Sequence, residues 1–479
     1  MEKYDLVIIG GGVGGLVAAS GAAQLGARVA LVEKKDSLGG DCLHSGCVPT
    51  KRLIHSAKVA SMVTRAKEFG IENGPARVNF PAVMEGMRSV QAKIGEHDDP
   101  GRFREMGVEV VLGGGGGGAF RDKYTFTAGG RVLRGRKFLI ATGSGPVILP
   151  IPGLKEAGVL TNETALRLEK FPSEIVILGA GPVGIEFAQV FSRLGSKVTI
   201  VEKMGQVLPR EDKEVSDTLQ LILEKEGIKI DTCTEFTDVK REGEKRRISA
   251  VCETGKKSYN PDEIMIAIGR APHVEGLNLE AAGVEYDKRH GIKADRTLRT
   301  TQKHIYACGD VIGHYAFTHM AEYQAGIVVS NALFPFVSRK VDYNSVPWVT
   351  YSDPELARVG LTEDEARAKH GGVHVYRFYF KDVDRAVIEG EGHGLIKLIV
   401  DKKNRILGAH ILGPHAGEMI HEYVLAKQAG LPITSISKTI HVYPTIAQGL
   451  KRAADSYYAE KLFKGWFPKV ARWLIRRGG

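Results

Sequence analysis

The stretch that decides the fold runs Leu6-Val7-Ile8-Ile9-Gly10-Gly11-Gly12-Val13-Gly14-Gly15-Leu16-Val17-Ala18-Ala19 and resumes at Val29-Ala30-Leu31-Val32-Glu33. Its first four residues are wholly apolar, as a strand buried on both faces requires. The chain then enters a G-x-G-x-x-G turn made by Gly10, Gly12 and Gly15, a helix-compatible run, and a second apolar strand that ends in an acid. Each part has a physical task in a dinucleotide-binding unit. The first glycine permits the turn, the second lets backbone approach a pyrophosphate, and the third lets helix and strand pack closely. The helix start offers free N–H groups to phosphate. Glu33 can accept from a ribose hydroxyl.

The unit occurs twice. Glu174-Ile175-Val176-Ile177-Leu178 leads into Gly179-Ala180-Gly181-Pro182-Val183-Gly184, and Val198-Thr199-Ile200-Val201 ends at Glu202. From first glycine to acid is 23 positions in both copies. One such turn is weak evidence, whereas two in full context with equal spacing predict two Rossmann-like domains in an α/β fold. Phe138-Leu139-Ile140-Ala141-Thr142-Gly143 and Ile264-Met265-Ile266-Ala267-Ile268-Gly269 echo each other as apolar strands closing on glycine. A carboxylate at the strand end accepts from a ribose 2′-OH and repels a 2′-phosphate, so the second site favours NAD over NADP. Lys203 and Arg210 lie close enough in sequence to soften that preference and leave NADPH open.

At 479 residues the chain has room for about three domains of roughly 150 residues. Composition is globular, and glycine, with 58 residues, is the outlier. Formal net charge is +10. Residues 461–479 supply six of those charges (Lys461, Lys464, Lys469, Arg472, Arg476 and Arg477) and contain no acid. The remainder is near balance and gives no support to nucleic-acid binding. No apolar run reaches the about 18 residues of a membrane-spanning helix. Met1 to Asp5 enter a strand directly, so a cytoplasmic, reducing compartment is the expectation.

Of five cysteines only Cys42 and Cys47 are close together, in Gly39-Gly40-Asp41-Cys42-Leu43-His44-Ser45-Gly46-Cys47-Val48-Pro49-Thr50-Lys51. Gly46 allows the chain to turn so that the two can meet. Pro49 suits the first turn of a helix. Cys47 would then stand at the helix start, where the dipole stabilises a thiolate, with Lys51 one turn on. Cys233 and Cys252 read as buried or edge residues, and Cys308 as a small residue beside Gly309-Asp310.

This segment resembles the active-site segment of the flavin-dependent pyridine nucleotide–disulfide oxidoreductases, the family of dihydrolipoamide dehydrogenase, glutathione reductase and mercuric reductase. His304-Ile305-Tyr306-Ala307-Cys308-Gly309-Asp310 is similar to the family's second flavin motif. Val346-Pro347 through Val359-Gly360-Leu361-Thr362 is similar to the start of its C-terminal α+β dimerisation domain. The resemblance implies FAD in the first nucleotide site, with contacts from Gly10, Gly12, Gly15, Glu33, Gly118, Thr142, Gly143, Gly309 and Asp310. It implies NADH or NADPH in the second, with Gly179, Gly181, Gly184, Glu202 and Gly269. Cys42 and Cys47 would form the redox disulfide, Cys47 facing the flavin and Cys42 the acceptor. Lys51 and Glu186 would be the pair beside the flavin edge. The implied layout is an FAD domain in two parts (1–150 and 273–343), an NAD(P) domain (151–272), a dimerisation domain (344–460) and a basic amphipathic tail (461–479). The implied assembly is a homodimer. No structural metal is expected. For the glycines Gly113 to Gly118, a flexible loop and an approach to the adenine end of FAD are both open.

Two residues depart from the disulfide reductases. In those enzymes a His-Pro-Thr segment near the C-terminus, with a glutamate five residues after the histidine, supplies a general base from the second subunit. Here His441-Val442-Tyr443-Pro444-Thr445-Ile446-Ala447-Gln448 puts Tyr443 at the base and Gln448 at the glutamate. Tyrosine is a poor base at neutral pH. Val383-Asp384-Arg385-Ala386 and Tyr443 are more similar to mercuric reductases, yet the cysteine pair those enzymes carry near the C-terminus is missing from 453–479. The acceptor stays open among a small-molecule disulfide, a soft metal ion and a quinone. Dihydrolipoamide dehydrogenase is one alternative, and a flavoprotein subunit or redox sensor of a membrane-associated complex is another. The tail has its apolar residues within an arc of about 140° at helical periodicity, interrupted by Pro468. A helix of about ten residues after the break would touch either a membrane surface or the partner subunit.

Overall fold

The computed structural model describes residues 2–72, 74, 76–113, 117–463 and 467–477. The chain divides into two compact units. One comprises Met1–Pro172, Lys240–Arg246 and Asp262–Asp342; the other comprises Ser173–Val239, Arg247–Pro261 and Tyr343–Gly479. Each unit contains one of the two repeated turns.

In the first unit, strand β1 (Glu2–Ile9) is followed by helix α1 (Val13–Gln24) and strand β2 (Val29–Glu33). Two helices follow, α2 (Gly40–His44) and α3 (Cys47–Arg65), and strand β3 (Val108–Leu112) comes later. β1 is flanked by β2 and by the strand Arg131–Ile140, both parallel to it, and β3 extends the sheet beyond β2. The short strand Ile305–Ala307, far along the chain, adds in parallel beside Phe138–Ile140. Leu6, Val7, Ile8, Val29 and Leu31 are fully buried, which is why these strands read as unbroken apolar runs. The other half of Arg131–Ile140 carries an antiparallel hairpin, Gly118–Asp122 and Thr125–Ala128. α1 packs against the helix Thr318–Leu333.

The second unit repeats the theme with parallel strands Glu174–Leu178, Lys197–Val201 and Lys229–Asp231 and the helix Pro182–Leu194. It also holds a five-stranded antiparallel sheet in the order Pro347–Thr350, Glu355–Gly360, Ile406–Gly413, Leu395–Val400, His374–Tyr379. Helices Ala416–Gln428 and Gln448–Phe463 bury Ile420, Tyr423, Leu450 and Ala453 with Phe380, Ile396 and Ile411 in its core.

Lys397, in the middle of this sheet, is buried. Its ammonium lies 2.8 Å from Asp212, 2.9 Å from Glu214 and 2.9 Å from Glu363. Burial is the largest influence and works against each carboxylate's charge, but hydrogen bonds from Lys397, preceded at Glu214 by those from Arg377, together with the neighbouring charges hold all three below the usual carboxylate range. Cys233 is exposed, in a left-handed turn (φ 48°) directly after the edge strand Lys229–Asp231.

Candidate functional site

The carboxyl ends of the first unit's parallel strands converge, which is where open α/β sheets bind ligands. β1 ends at Gly10, β2 at Glu33, Arg131–Ile140 at Thr142-Gly143, and Ile305–Ala307 at Gly309-Asp310. Gly10 turns with φ 112°, and a Cβ there would lie 2.3 Å from the Ala141 carbonyl oxygen. Gly12 caps α1 without any side-chain hydrogen bond, so the first-turn N–H groups keep their capacity for an anion. One Glu33 oxygen accepts the Gly11 N–H at 2.7 Å and the other the Lys35 N–H at 2.9 Å, which fixes the carboxylate at the strand end. Asp310 accepts from Ser144 Oγ at 2.6 Å, and the Gly309 N–H donates to Gln324 at 2.7 Å. Thr142 donates to the His273 carbonyl at 2.7 Å. An uncapped helix start, a carboxylate for a ribose and a second carboxylate across the strand ends fit a flavin dinucleotide.

Gly118 opens the hairpin opposite Ala128, whose neighbour Gly129 faces Val111 near the end of β3, and a Cβ at Gly118 would meet the Phe126 ring at 2.2 Å, so packing itself calls for glycine. Residues 114–116 of the glycine run lie outside the described residues.

The second turn has the same wiring. Gly179 has φ 103°, and Gly181 caps Pro182–Leu194, again without a side-chain bond. Glu202 accepts the N–H of Ala180 and of Met204, both at 2.7 Å. Gly184 is buried one turn into that helix. Lys203 is paired with Glu235 at 2.8 Å. Gly269 falls in the first unit, where its carbonyl accepts from Val147 at 3.1 Å. Glu186 is buried in the second unit, and its carboxylate accepts the Tyr351 N–H at 2.9 Å.

Cys42 lies on the short helix α2, and Cys47 is the first residue of α3. Their thiols share a hydrogen bond; that bond first, and burial second, push the Cys42 thiol up. Cys47 Sγ also lies 3.3 Å from the Thr318 hydroxyl. At the helix start the dipole favours a thiolate, and Lys51 follows one turn on. The segment is held by Asn162 donating to the Ser45 carbonyl (2.9 Å) and by Gln91 donating to those of Leu43 (3.0 Å) and His44 (3.1 Å). It rests directly on the first turn: a Cβ at Gly40 would lie 2.6 Å from Gly12 Cα.

Arg270 escaped the reading of the sequence. Its guanidinium bonds Asp41 at 2.7 Å and Ser144 at 2.9 Å (hydroxyl) and 2.8 Å (carbonyl), with Asp310 at 4.0 Å. It thereby ties the residue before Cys42 to the strand end that carries Asp310. Its place directly after Gly269 was the one signal available. Thr318 gave none. Cys308 is fully buried, 3.0 Å from where a Gly14 Cβ would sit, and burial pushes its thiol up to about 12.

In the second unit, Tyr443 is 64% exposed and its hydroxyl donates to Asp384 at 3.0 Å. That bond raises the phenol further above its ordinary value. Gln448 opens the helix Gln448–Phe463. The His441 side chain is only 7% exposed, held by Glu422 at 3.2 Å and the Thr439 carbonyl at 3.1 Å. The two side chains therefore occupy different environments, Tyr443 exposed and His441 held between Glu422 and Thr439.

Residues 4–325 match the family described as pyridine nucleotide-disulphide oxidoreductase, and residues 346–454 match its dimerisation domain. Dihydrolipoyl dehydrogenase of Bacillus subtilis (strain 168) is 35% identical, covering 94% of this chain and 97% of the relative. Mercuric reductase of Lysinibacillus sphaericus is 32% identical, covering 95% of this chain and 83% of the relative. The HOCl-induced flavoprotein disulfide reductase RclA of Escherichia coli superposes with a TM-score of 0.85 at 30% identity, covering 94% of this chain and 99% of that one. The strand-end site, the second nucleotide turn and the adjacent thiols agree with these matches: the chain belongs to the pyridine nucleotide-disulphide oxidoreductases, a family of FAD-dependent enzymes that use pyridine nucleotides.

Proposed function

We propose that this chain is a homodimeric NADH oxidoreductase that passes electrons through the Cys42–Cys47 pair to a thiophilic metal ion. Residues 1–150 and 273–343 are assigned to FAD, 151–272 to NADH and 344–460 to the dimer contact. When bound, the flavin supplies hydride acceptance from the nicotinamide and two-electron reduction of the disulfide. The chain's own residues do the rest. Glu33 and Asp310 orient the cofactor, and Arg270 keeps Asp41, and with it Cys42, in register with Asp310. The start of α3 and the Thr318 hydroxyl stabilise a Cys47 thiolate. Cys42, left with the raised thiol, is the sulfur that meets the acceptor. Each turnover re-forms the disulfide, releases one proton from the Cys42 thiol and gives two electrons to the acceptor. The roles that resemblance assigns to Lys51 and Glu186 belong to the same proposal.

The observation that carries the acceptor is the Tyr443–Asp384 hydrogen bond. A phenol held protonated cannot act as the base that disulfide exchange with a thiol substrate needs, whereas soft-metal reduction needs thiolates. The related RclA, solved as a Cu(II) complex, supports the same direction. NADH is favoured because Glu202 is fixed at its strand end while Lys203 is occupied by Glu235. The 35% identity to a dihydrolipoyl dehydrogenase supports lipoamide as the second reading.

An anaerobic screen of NADH and NADPH against mercuric ion, cupric ion, lipoamide, glutathione disulfide and quinones decides between them. Metal turnover with negligible lipoamide turnover is the expected result. Lipoamide turnover matching that with the metals would overturn the assignment.

A further inference from the structure

The helix Phe467–Arg477 buries none of its residues. Ile475 is 75% exposed, Leu474 57% and Trp473 51%. Successive residues turn by about 100°. Val470, Ala471, Leu474 and Ile475 thus share one face, while Lys469, Arg472 and Arg476 share the opposite one. Trp473 sits at the border, with the Arg477 guanidinium 4.1 Å above its ring. Aliphatic residues on one side, cations on the other and tryptophan between them match the layers of a bilayer surface. At 11 residues the helix is about 16 Å long, too short to cross a hydrocarbon core of about 30 Å. Charge names the occupant. Residues 461–479 carry six cations and no acid, so this segment is complementary to an anionic surface and repels its own copy.

We propose that the helix Phe467–Arg477 lies in the plane of an anionic lipid surface, its Val470–Leu474–Ile475 face in the acyl boundary and its cations at the headgroups. The enzyme is thereby held where membrane-delivered acceptors or metal ions arrive. The inference does not depend on which acceptor is used.

The test uses the full, FAD-loaded chain and co-sedimentation with vesicles of phosphatidylcholine and phosphatidylglycerol, against vesicles of phosphatidylcholine alone. Binding to the anionic vesicles only, weakened by salt and with a blue shift of tryptophan emission, is expected. Combining Lys469→Gln, Arg472→Gln and Arg476→Gln should cut partitioning about a hundred-fold, at roughly 1 kcal/mol per cation. Leu474→Ser with Ile475→Ser should abolish it, and NADH oxidation with an artificial acceptor should persist in every variant. Absence of vesicle binding by the intact chain, or equal binding by the variants, overturns the proposal. Loss of the dimer on removing residues 467–479, without vesicle binding by the intact chain, also overturns it and gives the helix to a second copy.

Discussion

The Cys47 sulfur lies 3.3 Å from the hydroxyl of Thr318, a residue 271 positions further along the chain. Thr318 opens the helix that packs on α1, so the thiol at the start of α3 meets a second helix start. Thr318→Val should move the titration of the thiolate-to-flavin absorbance band to higher pH, and Thr318→Ser should restore it. An unchanged midpoint in the valine variant would remove Thr318 from the thiolate's environment.

In the proposed function Glu202 sets the nucleotide preference. A hydrogen bond to a charged group is worth roughly 1.5–3 kcal/mol, so Glu202→Ala should lower kcat/KM for NADH about ten- to hundred-fold while NADPH loses less. Steady-state kinetics with both nucleotides measure this. Equal losses for the two would mean that the carboxylate only braces the turn through Ala180 and Met204.

Arg270 holds two carboxylates and a serine. Arg270→Met leaves Asp41 and Asp310 close together without their cation. We expect a stability loss of about 1–3 kcal/mol, below the value for fully buried pairs because the arginine is partly exposed. Weaker FAD retention should accompany it. Thermal unfolding and the flavin released on dilution report the two effects separately.

Tyr443 and Gln448 test the acceptor from the opposite side. Tyr443→His with Gln448→Glu restores the residue types of the disulfide reductases. Lipoamide turnover should rise by about a hundred-fold or more, the usual worth of a placed general base. If the double variant gains nothing, the segment does not approach the acceptor.

Acid should destabilise the second unit in two stages. His410 is fully buried; burial first, and the charge of Arg358 second, lower its imidazole to about 4. The unfolded chain therefore takes up this proton first, and its share of stability, complete above the ordinary histidine value of 6.5, is lost as pH falls towards 4. Asp212, Glu214 and Glu363 are also lowered, so their share is present above the ordinary carboxylate values and is lost as pH falls through the lower folded ones. Denaturant melts across pH should show both slopes. Lys397→Met, which strands Asp212 and leaves Glu214 and Glu363 only their arginine partners, should cost about 3–5 kcal/mol at neutral pH and flatten the lower slope.

The repeated turns were legible because each part is a local requirement. Gly10 and Gly179 must turn, Glu33 and Glu202 must close a strand, and 23 residues are what strand, helix and strand consume. The thiols were legible because Gly46 and Pro49 mark the helix start. Thr318, Arg270 and Gln324 were not, because their partners are brought close only by long-range pairing, of Ile305–Ala307 beside Arg131–Ile140 and of Arg270–Pro272 with Ser144–Pro146. Gly118 has a second reason to be glycine that the sequence does not display, the Phe126 ring packed where its Cβ would be.

The approach of Gly40 to Gly12 has an evolutionary and an engineering consequence. No side chain of any size can be inserted at Gly40 without displacing the nucleotide turn. The thiol pair and the turn can thus vary only in concert. A designer who wished to give another dinucleotide fold this redox chemistry could not transplant the cysteines by themselves. The transferable module is the whole span from Gly10 to Cys47, moved as one rigid piece.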